Sequence, residues 1–265
     1  MPVDKGLTEI CEALPAAIRR KPGHRGRFFL GIAVAAAVVV FLGFARTYYL
    51  KSVFPTPSFP LLFHVHGALF TAWMLLLVFQ AFLAASGRIA LHRSVGSIAR
   101  FLIVPMLVTG WWVAIAAARG QGPITSAVMR GELQLRVPAL DFVPLQAMIV
   151  PLTTIILFAG FAIAGLTFRR RPETHKRLMA LATIAMLPAA LGRGMSVLLG
   201  AAHPALFFGA VGIFILAIVL YDRRSLGRVH PVTLWGGVGL MLSFPARMAF
   251  AKTGLWLSFA EWLVR

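Results

Sequence analysis

Apolar residues run through this chain in seven long stretches, at 27–45, 60–86, 96–118, 142–168, 178–201, 204–221 and 231–251. Shorter segments that hold most of its Arg and Lys separate them. Each stretch is near or above the ~20 residues a helix needs to cross the hydrocarbon core of a bilayer. Backbone polar groups in lipid must be satisfied within the segment, so the stretches predict helices. The expected fold is all-α: a polytopic membrane bundle of about seven transmembrane helices spanning 27–251. A basic segment at 1–26 precedes it and a short tail at 252–265 follows.

Composition agrees. The chain is 59% hydrophobic with a mean hydropathy of +0.84, too apolar for a soluble domain. The net charge of +18 would suit nucleic acid, but no nucleic-acid partner is expected, because the charges sit between the stretches, where they orient a membrane protein. One side collects the basic residues of the first 27 positions, then Arg88, Arg93, Arg100, Arg169, Arg170, Arg171, Lys176, Arg177, Arg223, Arg224 and Arg228. The other has only Arg46, Lys51, Arg119, Arg130, Arg136, Lys252 and Arg265. The positive-inside rule therefore predicts a cytoplasmic N-terminus and an external C-terminus. Cys11 is the single cysteine, so no internal disulfide forms.

The first stretch is too long for a secretory h-region and reads as a retained anchor. Residues 8–20 suit a short surface helix, with Thr8 as cap, Glu9 and Glu12 early, and Arg19 and Arg20 late. The connection 119–141 is the longest external one and carries no evident chemistry. No tandem repeat, phosphate-binding glycine loop, zinc-ligand spacing or nucleophile elbow is present. None of the eight acids falls mid-stretch, which disfavours a carboxylate proton relay.

Histidine and arginine carry the candidate chemistry. His66, Trp73 and Gln80 are spaced by seven and share one helical stripe, so His66 is the inward-facing group and His64 the interfacial one. His92, His175 and His230 each sit just before an outward-running stretch, at the cytoplasmic face. A helix N-terminus there keeps an imidazole neutral and able to bind a metal. His203 opens the sixth stretch on the outer side. Arg193 lies about two turns inside the fifth stretch, which is costly without a partner, and no carboxylate in any stretch supplies one. Either it snorkels outward or pairs with backbone carbonyls and water, or its partner is a bound anionic or carbonyl group. Arg247 is nearer a helix end and is expected to snorkel.

Several motifs occur together: Phe63-His64-Val65-His66-Gly67, Trp73, Gln80, Gly87-Arg88 and His92-Arg93-Ser94-Val95-Gly96. They are followed by His175-Lys176-Arg177-Leu178-Met179 with Arg193, and by Gly227-Arg228-Val229-His230-Pro231. Together, over residues 44–250, they resemble a family of uncharacterised bacterial multi-pass membrane proteins. That resemblance implies a helical membrane fold and no particular activity. Histidines on alternate helices are also similar in architecture to those of transmembrane b-type cytochromes.

The function expected is that of an inner-membrane protein binding haem b and passing electrons to or from a quinone or a redox protein. His92 and His175, with His230 nearby, form the cytoplasmic group. His66 with His203 forms the outer group, Gln80 lies on the His66 stripe near its inner end, and Arg193 holds a propionate. One alternative is a membrane enzyme dependent on Zn or Fe, with His92, His175 and His230 as ligands and Asp222 as a fourth. No nucleophile or general base accompanies that set, so no catalytic residue is assigned. Another is a carrier or assembly partner that recognises an anion through Arg193.

Overall fold

The computed structural model describes residues 23–54, 58–121, 144–199 and 204–265, and among them every regular element is helical. In chain order these are α1 (Gly23–Phe44), a π-helical turn (Ala45–Tyr49), α2 (Leu61–Ala85), α3 (Ile89–Gly96) and α4 (Ala99–Ala118). After them come α5 (Pro144–Ala147), α6 (Ile149–Thr167), α7 (Pro172–Leu199), α8 (Pro204–Leu226), α9 (Pro231–Phe250) and α10 (Gly254–Val264). Helices thus occupy all seven predicted positions. Among the described residues, five stretches are long and apolar enough to cross a membrane: Arg27–Tyr49, Leu61–Ala85, Ile89–Ala118, Leu145–Thr167 and Pro172–Met195. They fit an integral membrane protein in a lipid bilayer.

Those five close into a ring. α1 packs on α2, α2 on α4, α4 on α6, α6 on α7, and α7 returns to α1. α8 and α9 pack against each other and against α7. α7 is therefore the central helix: 56% of its apolar window is buried, against 17% for α1 and for α2. The main core fills the ring with Trp73, Met106, Phe158, Ala182 and Leu187, and extends to Ile218 and Phe244. Trp73 meets Phe158 edge-on at 4.8 Å between ring centres, a favourable aromatic geometry.

Small residues permit the closest crossing. A Cβ on Gly43 of α1 would lie 2.3 Å from the Ala190 carbonyl of α7, so only glycine fits there. Lipid offers little hydrophobic drive between helices, and such small contacts let backbones approach and gain dispersion. The π turn then tethers α1 to α2: Tyr49 Oη lies 2.8 Å from Thr71 Oγ1, and Tyr48 Oη donates to the His64 carbonyl at 3.3 Å.

The third stretch divides. Gly87, at φ 74°, ends α2 in a left-handed turn that other residues adopt only with strain. α3 follows as a separate eight-residue helix before α4. His92 therefore lies inside α3 rather than just ahead of a span. His175 likewise lies in the first turn of α7, which starts at Pro172 rather than near 178. The tail forms α10, which clusters through Trp256 and Ala260 with Met148, Ile149 and Ala251. Trp256 Nε1 donates to the Leu145 carbonyl at 3.0 Å. The surface helix expected at 8–20, most of the 119–141 connection and His203 lie outside the described residues.

Candidate functional site

α3 and α7 bring two of the expected histidines together. The rings of His92 and His175 stand 6.2 Å apart, centre to centre, at 84°. His175 Nδ1 lies 2.7 Å from the Gly165 carbonyl of α6. A carbonyl only accepts, so Nδ1 carries the proton and the Nε2 lone pair is left for another partner.

His92 is held by Gln80. Its Nδ1 lies 3.1 Å from the Gln80 carbonyl. The Gln80 side chain donates Nε2–H to the His92 carbonyl at 2.9 Å and accepts Gly96 N–H at 3.0 Å, fastening α2 to α3; the same Nε2 also lies 2.7 Å from His92 Nδ1. Two tautomers result. Nε2 is a free ligand atom only where Nδ1–H rests on the carbonyl and the Gln80 amide, which in this placement donates to Nδ1, has turned away. With Nδ1 accepting from the amide, Nε2 bears the proton. Gln80 is thus a residue that orients His92.

His230 is tied elsewhere. Its Nδ1 accepts Val232 N–H at 3.1 Å and caps α9. Its own N–H donates to Asp222 Oδ2 at 3.0 Å. Burial, then the nearby Arg177 charge, holds this imidazole below its ordinary range, against the opposing pull of Asp222 and Glu173. The ring must be neutral to act as the cap acceptor.

Asp222, expected as a fourth metal ligand, is engaged in an ion pair. It and Arg177 are both fully buried. Arg177 Nε donates to Asp222 Oδ1 at 2.9 Å, and its second nitrogen contacts the same oxygen. Its remaining nitrogen donates to the Glu173 carbonyl and Oε2, each at 2.7 Å. Arg177 is therefore an internal charge, not a loop charge that serves only orientation. Lys176 beside it stacks over Phe29 of α1 and Tyr221 of α8, at 5.1 and 5.6 Å. Among the described residues, no group of three or more His, Cys, Asp or Glu side chains comes together in a way that would hold a metal ion.

A second polar group lies at the opposite ends of the same helices. His66 of α2 turns into the ring: its ring centre lies 4.2 Å from that of Phe70 at a 33° tilt, and its Nδ1 is buried without a hydrogen-bond partner. The Arg193 guanidinium sits 4.9 Å over the Phe44 ring of α1 and is in no ion pair among the described residues. Two turns along α2, Trp73 is 1% exposed and its Nε1 is also unpartnered. Natives leave few such atoms, and clusters of them call for an explanation.

Arg247 does not snorkel. It is 4% exposed and donates to Thr154 Oγ1 of α6 at 3.1 Å and to Ser243 Oγ at 2.6 Å, with its cation 4.7 Å from the Phe244 ring centre. Its side chain lies on the buried face of α9, turned toward α6. Arg247 instead joins α9 to α6.

No family model, curated protein or solved structure matches the chain.

Proposed function

We propose that this protein is a seven-helix protein of a bacterial inner membrane that binds a redox cofactor between His92 and His175. The N-terminus is cytoplasmic and the C-terminus external, by the asymmetry of Arg and Lys between the two sides. One observation carries the cofactor reading. Two imidazoles from different helices stand 6.2 Å apart, and each has its Nδ1 against a main-chain carbonyl. Metal-ligating histidines are oriented in this way, through the nitrogen that does not bind the metal. Two imidazoles sharing one ion, at ~2.0–2.1 Å per nitrogen, place their ring centres about 5–6.5 Å apart. The separation supports a bis-imidazole reading, of which haem b is the membrane form favoured here. Iron in such a site supplies reversible one-electron transfer, with a quinone or a redox protein as partner.

The residues of this chain have separate tasks. Gly165 fixes the His175 tautomer. Gln80 orients His92; for Nε2 to bind, Nδ1–H must rest on the Gln80 carbonyl and the Gln80 amide must release Nδ1. At the other end, Arg193 offers a planar fork that suits a carboxylate or carbonyl oxygen, with His66 beside it. A metal ion without a porphyrin is the second reading, and it rests on the same pair, since His230 is committed to its cap.

Haem and iron retained through purification, measured per protein chain, test the reading. His92→Ala and His175→Ala should each abolish retention from the pair, while His230→Ala should keep it. Arg193→Leu should weaken retention, and Arg193→Lys should restore little of it, because lysine lacks the fork. Equal retention by the wild type and by both single alanine variants would overturn the assignment.

A further inference from the structure

We infer that α1 and α2 form a seat for one anionic phospholipid, with its acyl chain in a groove between the two helices and its headgroup at Arg27. The groove is an open trough on the outer face of the two helices, with a volume of about 620 Å³. Its walls include Leu30, Val34, Val38 and Phe41 from α1 and Phe79 and Phe82 from α2. Every lining side chain is apolar. Val34, Val38, Phe41, Phe79 and Phe82 are each 43–49% exposed, so they are ridges beside a channel rather than core.

Charge at one end decides the occupant. Positions 27, 30, 34, 38 and 41 follow the three-and-four spacing of a single helical face, so Arg27 continues the stripe that lines the groove. α1 and α2 are packed antiparallel neighbours, so Leu30 and Phe82 mark the same end of the channel and Arg27 stands one turn beyond it. Arg27 is exposed. An apolar channel the length of several turns, ending at an exposed cation near the membrane surface, matches an acyl chain joined to a phosphate. A neutral lipid gains only the channel. A second copy of this chain would bring the same Arg27 to the face and meet like charge.

The inference is independent of the redox reading and does not need the orientation of the chain. Full-length protein is purified with added phosphatidylglycerol or phosphatidylcholine of identical acyl chains, and native mass spectrometry counts the lipids that remain bound. Phosphatidylglycerol should be preferred about fivefold at this seat, the contribution of roughly one basic residue near a membrane surface. Arg27→Gln should reduce that preference toward unity. Ala37 also lines the groove, and Ala37→Trp, which fills it, should remove one bound lipid per chain. An unchanged preference in Arg27→Gln would overturn the inference, as would an unchanged lipid count in a folded Ala37→Trp. If Ala37→Trp does not fold, the Arg27→Gln comparison decides alone.

Discussion

At the scale of single residues, His230 shows how a histidine is used when it is not a ligand. Its Nδ1 caps α9, so only the neutral ring serves. The folded state holds its pKa down, so this contribution is complete above the unfolded value of ~6.5. It is lost as the pH falls from there toward the folded pKa, because the unfolded chain takes the proton first. His230→Asn keeps a capping acceptor and should remove that part of the acid sensitivity. His230→Ala should cost about 1 kcal/mol at pH 8, the usual worth of a cap. Thermal melts at pH 8 and pH 5.5 check both, and an identical pH dependence in His230→Asn would rule out the neutral-cap account. The sequence placed His230 at a helix start correctly. It could not tell a cap from a ligand, since both roles need a neutral ring in that position. Arg247 departs from the snorkelling expectation for a different reason: distance to a helix end does not tell which face a side chain is on, and Arg247 is on the face that meets Thr154 of α6.

Among helices, the buried pair of Arg177 and Asp222 ties α7 to α8, and the His230 N–H brings in the start of α9. The pair joins residues 45 positions apart, and nothing local in the sequence links them. Its one visible trace was an acid among arginines at the end of an apolar helix. Desolvation offsets much of the attraction in such a pair, whereas removing one partner strands the other charge. Arg177 keeps Glu173 as a second carboxylate partner, so Asp222→Asn should destabilise the protein by about 1–3 kcal/mol. The double variant Asp222→Asn with Arg177→Met should recover most of that loss. Detergent-solubilised melts measure both, and a double variant no better than Asp222→Asn would mean that the pair contributes specific stability. The division of α3 from α4 was equally hidden, because apolarity continues through it. Gly87 was the available signal, a residue suited to the left-handed turn observed there.

For the whole molecule, helix positions were legible because bilayer thickness imposes length and apolarity directly on the sequence. Helix order was not, because lipid-facing and buried residues are alike in polarity. The ring of α1, α2, α4, α6 and α7 is what turns the His66 stripe inward and sets His92 beside His175. Orientation is tested with single cysteines in a Cys11→Ser background. Gln121→Cys should react with an impermeant thiol reagent added to intact cells, and Arg171→Cys only after the membrane is opened; the reverse pattern would invert the topology. The central claim is the cofactor between His92 and His175, and its most direct test is the reduced-minus-oxidised absorption spectrum of the detergent-extracted protein. The account predicts the sharp Soret and α bands of a haem with two imidazole ligands, absent from His175→Ala. A featureless visible spectrum in wild-type protein purified from haem-replete cells would contradict it.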